Sequence, residues 1–93
     1  MDPDVERGAL SQIVYGLIFV RDLTDPRAAE QLADAIVDGR TFAAPTADLV
    51  AAIDSALTKQ RIPQQAVDLT PHSEVALLAF SGASRAAVTA RFP

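Results

Sequence analysis

Residues 68 to 74, Asp-Leu-Thr-Pro-His-Ser-Glu, gather the side-chain types of an acid–base or acyl-transfer site. His72, the sole histidine, has Ser73 beside it, Asp68 four residues before and Glu74 two after. A hydroxyl beside an imidazole oriented by a carboxylate is the usual arrangement of an activated nucleophile. The spacing speaks against that chemistry. Adjacent helical residues point about 100° apart, so Ser73 is poorly placed to pass its proton to His72. A histidine in the run Thr70-Pro71-His72-Ser73-Glu74 is already explained by the start of a helix. The pattern assigns no catalytic residue, and the chain is expected not to be an enzyme.

Asp2, Asp4 and Glu6 alternate as hard-cation ligands can. A calcium loop of the EF-hand kind needs glycine at its sixth position and glutamate at its twelfth. Counted from Asp2, those positions are Arg7 and Ile13, so the stretch reads as a solvated helix start. With Cys 0 and His 1, thiolate zinc sites, redox pairs and two-histidine motifs are absent. The glycines, at 8, 16, 39 and 82, are isolated and form no phosphate-binding loop. No metal and no cofactor is expected.

The charge distribution disfavours nucleic acid as well. The net charge is −4, and residues 1–45 carry all of it; the cations lie dispersed among carboxylates, whereas phosphate attraction needs them clustered. A helix-turn-helix reader built on the second and third helices is the alternative. Against it, the link from Gly39 to Pro45 is long for that motif, and the third helix presents Asp48 and Asp54 with only Lys59 near its far end. The acidic start Met1-Asp2-Pro3-Asp4 does not resemble a secretory signal, and the longest apolar run, Ile13 to Val20, is far short of the roughly 20 residues that span a bilayer. A cytoplasmic location away from membranes is the expectation.

These side chains must be positioned by helices. The chain has 93 residues and is 49% hydrophobic, which suits one helical domain over 1–93. The expected fold is all-α, a compact four-helix bundle with helices over about 5–23, 26–38, 46–60 and 71–91. Asp2, Asp4 and Glu6 favour the start of the first, whose Leu10, Ile13, Val14 and Leu17 repeat at helical spacing. Its octet Ile13 to Val20 also fits a central strand, but the flanking residues extend the helical period. The second has Thr24 or Asp25 to cap it, Pro26 in its first turn and Gly39 as a left-handed stop. Phe42, in the link that follows, is expected to plug the core. In the third, Leu49, Val50, Ile53, Ala56 and Leu57 face inward, and Arg61 to Leu69 reads as a packed loop. In the fourth, Val75, Leu78 and Ala79 lead the inner face, with Leu77 and Phe80 on its flank. Gly82, Ala86 and Ala90, and likewise Ala79, Ala83 and Ala87, form ridges of small residues for close helix contact, with a kink or split near Gly82 as the alternative.

The feature left over is the first helix, apolar almost all round from Ile13 to Val20. It is either the centre of the bundle or, since so small a domain struggles to enclose a helix, a contact surface. The functional expectation is a non-enzymatic protein–protein interaction module, self-associating as a homodimer or binding another protein through Ile13, Val14, Tyr15, Ile18 and Phe19. Besides the DNA-binding regulator, the other alternative is a small-molecule-binding protein with its pocket under Phe42 and the 61–69 loop, marked by convergent polar groups.

Overall fold

A computed structural model of the chain describes residues 3–17 and 20–91. It is all-α: α1 (Pro3–Tyr15), α2 (Pro26–Asp38), α3 (Thr46–Lys59), α4 (Gln64–Val67) and α5 (Glu74–Arg91) pack into a helical bundle. α4 is a single turn inside the stretch expected to be irregular. The Cα radius of gyration is 11.7 Å.

α2 follows its sequence signals closely. The Asp25 carboxylate accepts the Arg27 N–H at 2.9 Å, Pro26 opens the helix, and Gly39 ends it at φ 74°, a left-handed conformation that glycine adopts without steric penalty. α3 closes with the same backbone turn made by a non-glycine residue, Gln60 at φ 54°. The Gln60 side-chain amide donates to the Leu57 carbonyl at 2.6 Å, and the Arg61 N–H donates to that of Ala56 at 3.1 Å, so two of the orphan carbonyls of the last turn are satisfied.

α1 is shorter than its apolar pattern. It ends at Tyr15, where Gly16 and Leu17 turn out of the helix, and the Leu17 N–H reaches back only three residues to the Val14 carbonyl at 2.9 Å. Glycine weakens a helix by about 1 kcal/mol relative to alanine. Leu17 in this turn is 5% exposed, and Val20 and Leu23 pack partly against the same core.

α5 starts at Glu74 instead of Pro71. Ser73 is its cap, its hydroxyl accepting the Ala76 N–H at 3.2 Å, while Thr70 accepts the His72 N–H at 3.3 Å in the turn before. The helix runs unbroken through Gly82, so it does not split there. Its inner face is also rotated from the expected one. Leu77, Phe80, Ser84 and Val88 are buried, whereas Val75 is 77% exposed and Ala79, Ala83, Ala86 and Ala90 lie on the surface. Only Ala87 and Gly82 of the two small-residue ridges approach the core. The small residues buried in the core lie elsewhere: Ala29 and Ala33 of α2, Ala52 and Ala56 of α3, and Ser84, whose hydroxyl donates to the Phe80 carbonyl at 2.8 Å.

One hydrophobic cluster draws on all five helices. α3 is its centre, packed against α1, α2 and α5, while α1 lies on α3 and α4. The first helix is therefore a flank of the bundle. α2 and α5 make the most extensive pairing, locked at its end by Arg91, whose Nε donates to Asp34 at 2.7 Å and which also pairs with Glu30. The Asp34 hydrogen bond, chiefly, raises the Arg91 pKa above its ordinary value.

The turn between α1 and α2 is organised by Asp22, whose Oδ1 accepts both the N–H and the hydroxyl of Thr24. The hydroxyl bond first and the backbone bond second hold the Asp22 carboxyl below its ordinary value of 3.8. A depressed folded-state value means that the contribution to stability is present above the ordinary value and disappears as pH falls through the folded one. In a carbon-detected NMR titration, Asp22 is expected to have its midpoint below 3.8, and Thr24→Val should move it upward. An unmoved midpoint would show that the hydroxyl has no such effect.

Candidate functional site

The sequence-predicted contact residues separate into two groups and a remainder. Ile13 and Val14 are 4% and 3% exposed and belong to the chain's own core, on the face of α1 that meets α3. Tyr15, the last residue of α1, is 64% exposed. Ile18 and Phe19 lie outside the described residues.

Tyr15 stands at the edge of a groove of about 550 Å³ lined by Ser11, Gln12, Gly16, Thr41, Phe42 and Leu69 among others. Three chain segments build it. The last turn of α1 supplies one wall, the 39–45 link supplies Phe42, and the turn after α4 supplies Leu69. The link is fixed to α1 by the Gln12 side-chain carbonyl, which accepts the Ala44 N–H at 3.1 Å. Thr46 ties the following helix start to α2 through a 2.6 Å bond from its hydroxyl to the Ile36 carbonyl. Phe42 is half-buried, with its ring edge near Gly16, where an added Cβ would sit 3.9 Å from the ring. Leu69 is 40% exposed. None of the lining side chains among the described residues is charged.

The His72 constellation is spread among structural bonds. The imidazole Nε2 donates to the Val20 carbonyl at 2.7 Å, tying the segment after α1 to the turn before α5. Ser73 caps α5, Asp68 accepts the Gln64 amide at 2.7 Å, and Glu74 accepts the Ile62 N–H at 3.2 Å. No bond joins any two of these four side chains. Among the described residues no group of three or more His, Cys, Asp or Glu side chains could hold a metal ion, and no helix is long and apolar enough to cross a membrane. Of the four cations in residues 46–93, Lys59, Arg85 and Arg91 are each paired with a carboxylate.

No protein-family model, curated protein or solved structure matches this chain. The geometry of the molecule is what bears on its function. Two parts of the groove, the end of α1 and Phe42, stand out in the sequence, though for different roles. Leu69 as a wall has no local signal, because only the packing of α4 against α1 brings it beside Tyr15.

A second concavity, of about 450 Å³, lies where α1, the end of α3 and the start of α5 meet the 61–64 link. Its wall is polar, formed by Glu6, Lys59, Arg61, Gln64 and Glu74 with Ile62 and Pro63. Glu6 is the one charged residue buried among those described, at 8% exposure, and Lys59 pairs with it at 3.3 Å.

Proposed function

We propose that the protein is a small interaction module that self-associates as a homodimer through the groove at the end of its first helix. The observation that carries this reading is the position of Tyr15, an exposed aromatic projection beside an apolar concavity on the same face. A two-fold contact requires one surface to complement itself. A knob next to a hole meets that requirement, since each copy's tyrosine can enter the other's groove. The uncharged lining supports the same partner: two chains of net charge −4 can meet there without opposing charges in the contact. Tyrosine is also among the residues enriched at the centres of interfaces, where it combines large apolar area with a polar tip.

Sedimentation over a wide concentration range is the test. The wild type should pass from monomer to dimer, and Leu69→Asp should stay monomeric at every concentration, because a carboxylate would enter an otherwise uncharged contact. Tyr15→Ala should weaken the dimer as well. Both positions are exposed, so circular dichroism should show unchanged helix. A wild type that remains monomeric, or a dimer that survives Leu69→Asp, would end this reading.

A further inference from the structure

The polar cleft is separate from the proposed dimer contact, since the two share no lining residue among those described. Its charges are balanced. Among the described residues, Glu6 and Glu74 supply two carboxylates, Lys59 and Arg61 two cations. A ligand with a single charge would be drawn to one pair and repelled by the other. One carrying both charges, held apart on a short frame, satisfies both kinds.

The unused bonding capacity points the same way. The Arg61 side chain is exposed and makes no ion pair or hydrogen bond among the described residues, so its planar fork is open to a carboxylate, which guanidinium binds in bidentate fashion. Glu74 uses Oε2 to accept the Ile62 N–H at 3.2 Å, one peptide beyond Arg61, and its Oε1 has no partner among the described residues. A backbone bond thus holds the Glu74 carboxylate beside the peptide that follows Arg61, and both side chains line the cleft. Glu6 is a carboxylate held at 8% exposure beside an ammonium whose own side chain is 61% exposed. Keeping a charge in such a place opposes folding unless it is well paired. Pro63, with the small exposed part of the otherwise buried Ile62, gives the cleft an apolar stretch beside these groups, and its volume lies within the range of about 300–1,000 Å³ usual for ligand pockets.

We infer that this cleft binds a free α-amino acid with a small aliphatic side chain, its carboxylate on Arg61, its ammonium on Glu74 and its side chain against Ile62 and Pro63. Lys59 and Glu6 complete the charge balance at the inner wall. Neither ligand charge then enters the cleft without an opposite partner.

The test is an NMR titration of the ¹⁵N-labelled full chain with L-valine. Two analogues each lack one charge, 3-methylbutanoate and 2-methylpropylamine. L-Valine should give saturable shifts at the amides of Lys59, Ile62, Gln64 and Glu74, and each analogue should bind at least about tenfold more weakly. Arg61→Ala and Glu74→Gln should each weaken L-valine by about tenfold or more. The glutamine keeps an acceptor for the Ile62 N–H, and the Arg61 side chain holds nothing in the fold, so both variants should remain folded. Arg40→Ala, at an exposed position outside the cleft, should bind as the wild type does. The inference is overturned by an absence of saturable shifts, by an analogue binding as tightly as L-valine, or by unchanged affinity in the two cleft variants.

Discussion

Leu77→Ala is expected to lower the unfolding free energy by about 2–5 kcal/mol, whereas Val75→Ala, two residues earlier on the same helix, should change it by less than about 0.5 kcal/mol. Leu77 is 1% exposed and Val75 77%. Truncating the first removes transfer free energy and leaves a cavity in the core, because the surrounding helices can close in only partly. Truncating the second takes methyl groups out of water. For a domain of this size about 1 kcal/mol corresponds to roughly 4–8 °C in Tm, so Leu77→Ala should melt well below the wild type and Val75→Ala close to it. Urea denaturation of the two variants measures the difference directly. Equal losses would mean that α5 does not present the face described.

That pair of substitutions also locates where the sequence is ambiguous. In α2 the polar and apolar residues alternate cleanly, and capping chemistry marks both ends, so Pro26 to Asp38 is legible without a structure. In α5 the residues from Val75 to Phe80 are apolar on nearly every side, and the stretch from Ala83 to Ala90 is mostly small. Periodicity then selects no unique face. What decides it is that Phe80 and Leu77 have volume to fill in the core shared with α2 and α3, while alanines on the outside lose little by meeting water. The end of α1 is illegible for the converse reason. Ile13 to Val20 supports a longer helix locally, yet the helix ends at Tyr15, and Gly16 and Leu17 form a turn, with Leu17 still buried in the core.

The candidate sites follow the same division. Tyr15 and Phe42 are conspicuous as bulky residues in a chain otherwise rich in alanine, and both line the apolar groove. The polar cleft is not legible in this way. Glu6 reads as one of several carboxylates at a helix start, and nothing in the sequence says that it alone would be buried and paired across 53 residues with Lys59. Such a pairing is set by how α1 lies on α3, which is a property of the whole bundle.

The buried carboxylate makes an asymmetric prediction. Lys59→Met is expected to destabilise the protein by about 1–3 kcal/mol, while Glu6→Met should be close to neutral or slightly stabilising. The two variants break the same 3.3 Å ion pair, so if the pair itself were the source of stability the losses would be equal. The difference lies in what each variant leaves behind. Without Lys59, the Glu6 carboxylate stays at 8% exposure and loses its ion-pair partner, and an unpaired buried charge is strongly unfavourable. Without Glu6, Lys59 keeps an ammonium on a side chain already 61% exposed and returns to water at little cost, while methionine fills the vacated space with apolar volume. The Lys59 figure is set below the about 3–5 kcal/mol found for fully buried pairs, because the open cleft lets water reach one side of the carboxylate. Urea denaturation of both single variants and the double variant gives the answer, since the double should recover most of what Lys59→Met loses. Equal destabilisation by the two single variants would show that Glu6 is effectively hydrated, and a site built around a buried charge would lose its main physical support.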